Sequence, residues 1–215
     1  MDNEMTKGLQ LNTLAVWHGT RQVASLDARI EPGQILSLMG PSGVGKSSLL
    51  AAITGTLDPA LRCTGAVLLD GADITNTPAH LRRTGLLFQD DLLFPHMSVG
   101  ANLAFGLPAT LRSRLSRRER VDAALDEVGL SGFAPRDPAT LSGGQRARVA
   151  LMRVLLSEPR ALLLDEAFGR LDATLRAQVR DLVFARARAR NLPVLMVTHD
   201  AEDAQAAGGQ VITLG

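Results

Sequence analysis

The sequence predicts an α/β fold: a parallel sheet with helices between its strands, an antiparallel β region before it, and a helical block inserted in the middle. Three observations carry that prediction. Apolar runs of strand length recur at Ile35–Met39, Leu86–Phe88, Ala161–Asp165, Val194–Val197 and Val211–Leu214, separated by helical or turn segments, and strands alternating with helices indicate a parallel sheet. Residues 9–16 and Val23–Ile30 alternate apolar and polar side chains, as half-buried strands do. After Gln89 the character changes, and residues 90–135 carry helical spacing, turn residues and a basic run.

The length of 215 residues suits one domain, or a domain with an insertion, and 46% hydrophobic residues are enough to bury a sizeable core. With 23 basic and 22 acidic residues the net charge is +1, which gives no reason to expect a nucleic-acid partner. Cys63 is the only cysteine, so an intrachain disulfide is impossible and a reducing cytosol fits. The start, Met1-Asp2-Asn3-Glu4, lacks the basic and apolar regions of a signal peptide. The longest uncharged stretch, Leu92–Leu111, contains Pro95, His96, Asn102 and Pro108 and makes a poor membrane helix. A soluble chain is expected.

The chain is organised around Gly40, Pro41, Ser42, Gly43, Val44, Gly45, Lys46 and Ser47, which fit the phosphate-loop pattern G-x-x-x-x-G-K-[ST]. A strand enters the loop, and Ser48–Ile53 leaves it as a helix. Glycines let the backbone turn tightly and bring N–H groups to oxyanions, and the helix N-terminus adds its positive dipole end. Lys46 is of a length to reach the β- and γ-phosphates, and the Ser47 hydroxyl can ligate Mg²⁺.

The other elements follow in order. Trp17, the only Trp, is either a partly buried packing residue or a flat stacking platform for an adenine ring. Leu61–Leu69 reads as a further strand and Gly71 as a turn. Ser116 and Glu119 form a capping box, opening a helix with Val121, Leu125 and Val128 at helical spacing that ends at Gly129. The arginines at 112, 114, 117, 118 and 120 are read as a solvated helix face in preference to an anion site. Ser142, Gly143, Gly144 and Gln145 open a helix running to about Leu156. They form either an N-cap with a flexible turn or a second phosphate-binding surface. At the end of the 161–165 strand, Asp165 can hold Mg²⁺ or its waters opposite Ser47. Glu166 can orient or deprotonate a water attacking a γ-phosphate. His199, after the 194–197 strand, can contact the γ-phosphate or position that water. Gly40, Gln89, Asp165 and His199 all stand at strand ends, and ligands of parallel sheets bind at the carboxyl ends of strands.

With Gly40–Ser47, Gln89, Leu141–Gln145, Leu164-Asp165-Glu166, Leu171-Asp172 and His199 in this order, the chain resembles the ATP-binding subunits of bacterial ABC transporters along nearly its whole length. The Leu-Ser-Gly-Gly-Gln run at 141–145 is the most specific of these motifs. The resemblance implies a RecA-like P-loop NTPase core with an antiparallel β region and an inserted helical subdomain. The expected division is a core of residues 1–88 and 157–215 and a helical subdomain of residues 89–156. It implies ATP and Mg²⁺ as ligands, with Trp17 stacking on adenine and residues 40–48, including Ser48, holding the phosphates. Gln89 then senses the γ-phosphate and Mg²⁺ and couples to membrane subunits. Ser142, Gly143, Gly144 and Gln145, with Asp172, act across a head-to-tail dimer, each 141–145 turn closing on ATP held by the other subunit. The implied catalytic residues are Glu166, His199 and Gln89, and the implied metal ligands Ser47, Gln89 and Asp165.

The segment Gln89–Val99 resembles the importer branch, and Asp137–Arg148 is similar to small thiamine-type importer ATPases. The expected activity is ATP hydrolysis coupled to uptake. The expected partners are a second, identical ATPase subunit, permease subunits and a separate substrate-binding protein, with no nucleic acid. The expected place is the cytoplasmic side of the bacterial inner membrane, held peripherally through the permease. Three departures stand out. Ala167 replaces a usual Pro, Gly169 replaces a usual Ser, and the C-terminal regulatory domain of sugar-type importers has no counterpart, so regulation by substrate within this chain is not expected. An exporter ATPase would share these motifs and differ in the membrane protein that co-purifies. A soluble ABC ATPase of translation or DNA repair usually carries two ATPase halves or a long coiled-coil insertion, absent from these 215 residues. A P-loop kinase would lack the 141–145 motif and would release a phosphorylated product.

Overall fold

The computed structural model describes residues 7–215; the segment Met1–Glu4, read above for targeting signals, lies outside them. The chain divides into two compact units. The first comprises Met1–Leu86, Arg160–Glu166 and Phe184–Gly215, and the second Leu87–Pro159 and Ala167–Val183.

The first unit holds one sheet and, save for the last two residues of β6, a second. Strands β1 (Leu9–His18), β2 (Arg21–Ile30), β4 (Leu61–Leu69) and β5 (Ala72–Asp73) form one, in the order β2-β1-β4-β5. β1 pairs antiparallel with both β2 and β4. The alternation expected of residues 9–16 breaks in the middle of β1. The register slips between Leu11 and Leu14, Thr13 takes φ +45°, and Leu14, Ala15 and Val16 are all buried in succession. An inserted bulge residue turns the following side chains onto the other face; here the Thr13 N–H finds the Asp27 carboxylate at 2.9 Å.

The second sheet runs β6 (Thr84–Phe88), β7 (Ala161–Asp165), β8 (Val194–Val197), β3 (Ile35–Met39) and β9 (Val211–Thr213), in the order β6-β7-β8-β3-β9. β3 pairs parallel with β8 and β9, and β7 with β8. Its central strands are buried on both faces, which is why they read as unbroken apolar runs. Helix α1 (Lys46–Thr54) packs against β1 and β2, and one continuous core joins Leu9, Leu14, Leu38, Leu50, Leu163 and Val197.

The second unit contains α2 (Val99–Gly106), α3 (Arg114–Glu127) and α4 (Gly143–Leu156), with α2 packed on both α3 and α4. Helix α5 (Ala173–Ala189) begins in this unit, and a short α6 (Ala201–Ala207) lies in the first. The expected cap of α3 is corrected: the helix starts at Arg114, not after Ser116. The Ser113 hydroxyl accepts from the Ser116 N–H at 3.4 Å, so Ser116 sits inside the first turn. Both serines precede an acidic or polar residue, and only the chain path selects the one with extended backbone. Arg117 also departs from the expected solvated face. It donates to the carbonyls of Leu111 (3.0 Å) and Ala104 (2.6 Å), tying α3 to the end of α2, while Arg112, Arg114, Arg118 and Arg120 are exposed. Gly129, at φ +70°, follows the C-cap Val128 of α3 in the left-handed conformation a helix end favours.

Candidate functional site

The loop Gly40–Gly45 joins β3 to α1 in the first unit. Two of its glycines are required by geometry. A Cβ on Gly45, at φ +94°, would lie 2.7 Å from the Ala24 Cβ and 2.9 Å from the Val23 Cγ1; one on Gly40 would lie 2.7 Å from the Leu214 carbonyl oxygen. Gly45 is also the N-cap of α1 and offers no capping side chain, and no acidic residue stands in the first turn. The first N–H groups of α1 are therefore left for an external acceptor, which suits an anion at the positive end of the helix. Lys46 is only 5% exposed. Its ammonium folds back onto the loop and donates to the carbonyls of Gly40 (2.7 Å) and Pro41 (2.9 Å). Pro41, Ser42 and Gly43 are exposed on the loop, and Val44 and Ser48 partly so.

Asp165, the last residue of β7, meets the first turn of α1. The Ser47 hydroxyl donates to its Oδ1 at 3.3 Å. Burial pushes the Asp165 carboxyl above the usual carboxylate range. The Ser47 hydrogen bond and the Lys46 charge pull it back, and the neighbouring Glu166 pushes it further up. A hydroxyl and a carboxylate this close are hard oxygen donors of the kind Mg²⁺ takes, and burial makes a cation welcome beside Asp165. Among the described residues no cluster of three or more His, Cys, Asp or Glu could hold a metal ion.

Glu166 follows with φ +49°, a conformation uncommon for a non-glycine residue. Its N–H still bonds the Val197 carbonyl of β8 at 3.0 Å, while its side chain leaves the strand alternation. The Glu166 Oε2 lies 3.3 Å from the His199 Nδ1. His199 is exposed, but its backbone is fixed on both sides. The Thr198 N–H bonds Leu38 at 3.2 Å, and the Asp200 N–H bonds the Thr198 hydroxyl at 3.0 Å. Asp200 then caps α6 by accepting from Glu202. Within the first unit, the ends of β3, β7 and β8 thus bring together the loop, Lys46, Ser47, Asp165, Glu166 and His199.

Trp17, on β1 of the same unit, is partly buried. Its indole N–H donates to the Thr64 hydroxyl at 3.0 Å, and the Arg62 guanidinium lies 5.7 Å from the ring centroid.

Gln89, Ser142, Gly143, Gly144, Gln145 and Asp172 belong to the second unit. Gln89 is exposed directly after β6. Ser142 and Gln145 form a reciprocal capping box on α4, the hydroxyl accepting from the Gln145 N–H at 3.3 Å and the Gln145 side chain accepting from the Ser142 N–H at 2.9 Å. Asp172 accepts from the Leu175 N–H at 3.0 Å at the start of α5. Ala167 and Gly169, the positions that depart from the family pattern, lie in this unit, and the Gly169 carbonyl accepts from Arg176 at 3.4 Å.

Two positioning side chains carried no sequence signal. Arg82 is buried and donates to the carbonyls of Ala52, Ile53, Thr75 and Thr77, closing the C-terminal end of the helix that leaves the phosphate loop. Asn102 is fully buried and holds the backbone of Phe94 by its N–H and carbonyl, and the carbonyl of Met97. Neither sits in a motif, and only the folded backbone places carbonyls around them.

Residues 23–169 match the family model described as ABC transporter. The chain is 49% identical over 187 residues to the uncharacterized ABC transporter ATP-binding protein YnjD of Escherichia coli, covering 87% of this chain and 86% of that protein. It is 38% identical over 215 residues to the sulfate/thiosulfate import ATP-binding protein CysA of Synechococcus elongatus, covering 100% of this chain and 62% of that one. It is 40% identical over 192 residues to the Fe(3+) ions import ATP-binding protein FbpC 1 of Rhizobium meliloti, covering 89% and 54%. The chain therefore spans little more than half the length of these import relatives.

Proposed function

The chain belongs to the ABC transporter family of ATP-binding proteins, and on that premise we propose that it is the ATPase subunit powering uptake through a membrane permease. The observation that carries this reading is the meeting of Ser47, Asp165, Glu166 and His199 beside a glycine loop with no capping side chain of its own. The import relatives support the direction of transport. They are named for different cargoes, in keeping with cargo being read by other chains.

ATP binds with its phosphates on the N–H groups of the loop and first turn of α1. Lys46 exchanges the Gly40 and Pro41 carbonyls for phosphate oxygens, and Trp17 stacks on the adenine. Ser47 and Asp165 would hold Mg²⁺, which supplies charge neutralisation to the phosphate oxygens when bound. Glu166 orients a water and accepts its proton as the oxygen attacks the γ-phosphorus. The bond from that phosphorus to the β–γ bridging oxygen breaks, leaving ADP and phosphate. His199 steadies the Glu166 carboxylate and faces the departing phosphate. The site works by positioning and charge stabilisation more than by covalent chemistry.

A second copy of the chain completes each site. Its Ser142–Gln145 turn closes over the γ-phosphate, with Asp172 at the same seam and Gln89 reporting the phosphate to the permease. ATP thereby biases an open–closed equilibrium of the pair, and hydrolysis reopens it. The permease subunits and a separate cargo-binding protein supply the membrane path. Among the described residues no helix is long and apolar enough to cross a membrane, and we place the subunit peripherally on the cytoplasmic face of the inner membrane.

Sedimentation with Mg-ATP tests this. Glu166→Gln keeps nucleotide binding and removes the base, so ATP traps a dimer, and an added Ser142→Arg change dissolves it. A Glu166→Gln protein that hydrolyses ATP at the wild-type rate and stays monomeric at saturating ATP would overturn the reading.

A further inference from the structure

Directly after Gln89 stand two aspartates, and each is taken by an arginine from a different segment of the second unit. Asp90 pairs with Arg170, two residues before Asp172. Asp91 pairs with Arg146 at 3.3 Å, and the same guanidinium donates to the Leu141 carbonyl at 2.7 Å, at the head of the Ser142 turn. Two turns along the same helix, Arg153 donates to the carbonyls of Asp91 (3.3 Å) and Leu92 (2.9 Å) and lies 5.3 Å from the Phe94 ring centroid. Leu92 is held at φ +46°, an uncommon conformation for a branched side chain, and these hydrogen bonds fix it there. Gln89, Asp90, Asp91, Arg146 and Arg170 line one cavity of about 370 Å³.

We propose that Arg146 and Arg170 are positioning residues: through Asp91 and Asp90 they latch the turn after Gln89 to the Ser142 turn and to the Asp172 turn, so that these three segments move as one body. The proposal rests on the ATPase reading above. Its logic is one of placement. Gln89 and Ser142 stand about fifty residues apart in sequence and Ser142 and Asp172 about thirty, and the side chains of Ser142 and Asp172 bond within their own turns. The two ion pairs join the turn after Gln89 to the other two turns, which also pack on each other where the Leu175 side chain lies against Gly144. The outer pair is 62% and 49% exposed, so it is weak and reversible, as a latch that must follow a catalytic cycle requires. The inner pair is more enclosed. Burial pushes the Asp91 carboxyl up, and the Arg146 hydrogen bond and charge oppose that shift.

The test is a charge swap in the full-length chain, read by phosphate release from Mg-ATP and by thermal melting. Asp90→Arg and Arg170→Asp alone each lower kcat about fivefold, with KM for ATP and melting temperature unchanged, and the double swap restores at least about half the wild-type kcat. Asp91→Asn lowers kcat by a similar factor through the inner pair. A double swap no better than either single change overturns the latch. So does a loss of kcat that tracks a loss of melting temperature, which would mark the pairs as merely structural. Wild-type chain that releases no phosphate from Mg-ATP removes the ATPase reading and the latch together, whereas active wild type without rescue removes the latch alone.

Discussion

The His199 Nδ1 lies 3.3 Å from the Glu166 Oε2. These residues come from the ends of adjacent parallel strands, and the contact depends on Glu166 adopting φ +49° while its N–H stays bonded to Val197. A carboxylate turned out of its strand and steadied by an imidazole is built to hold one orientation. Glu166→Gln is expected to lower kcat by about 10²–10³-fold with KM for ATP within a few-fold, as for loss of a positioned base. His199→Ala, which frees the carboxylate without removing it, lowers kcat by about tenfold or more. Phosphate release at saturating Mg-ATP measures both; a Glu166→Gln variant within threefold of wild type rejects the assignment.

Asp165 gives a pH signature. Burial raises its carboxyl pKa in the folded chain, so the folded state binds this proton more tightly than the unfolded state. The resulting stability is full below the unfolded carboxylate value of about 3.9 and is lost as pH rises through the higher folded value. Asp165→Asn carries no such charge. Without nucleotide it is expected to melt above wild type at pH 7, with the difference shrinking toward pH 4. Mg-ATP reverses the order, because it stabilises the chain that can hold the cation. Melting curves across this pH range settle it: a variant less stable than wild type at pH 7 without ligand refutes the account.

Gly45→Ala places a methyl 2.7 Å from Ala24 and 2.9 Å from Val23 at a φ of +94°. Strain and overlap together cost about 1–3 kcal/mol, and relief comes only by moving the loop. Nucleotide affinity is expected to fall about tenfold or more, which titration with a fluorescent ATP analogue would measure. Gly43→Ala, at φ +83° with open space around its Cβ, carries the backbone strain without the overlap and falls between the two.

Arg82→Ala takes a donor from the Ala52 and Ile53 carbonyls at the end of α1 and from the Thr75 and Thr77 carbonyls and is expected to destabilise the chain by about 3 kcal/mol. Arg82→Lys recovers little of this, since one ammonium lacks the planar fork that spans the Ala52–Ile53 and Thr75–Thr77 carbonyls. Urea denaturation gives the comparison; a lysine variant as stable as wild type would show that charge alone suffices.

What was legible in the sequence was local. Leu61–Leu69 was readable as a strand to the residue, and the central strands were visible because burial on both faces leaves an unbroken apolar run. At Ser142 the sequence offered an N-cap as one of two readings, and the reciprocal bonds with Gln145 are seen in the folded chain. Where two local signals competed, spacing was insufficient. Ser113 and Ser116 both qualify as caps, and the path of the chain after α2 chose the first. Helices α5 and α6 escaped notice: α5 has many arginines and alanines and little apolar contrast along its length, and α6 is only seven residues long.

The sequence by itself determined the residue types and order of the phosphate loop, the strand ends that carry carboxylates and His199, and the family to which the chain belongs. These are properties of short windows, in which glycine placement and apolar periodicity are set by neighbours along the chain. The tertiary structure decided the strand order β6-β7-β8-β3-β9, the meeting of Ser47 with Asp165 across 118 positions, the burial of Arg82 and the pairing of Asp90 and Asp91 with Arg170 and Arg146. Those contacts join residues far apart in the chain. They exist because burying the apolar strands draws distant segments together, and the charged groups carried with them then find partners where they are placed.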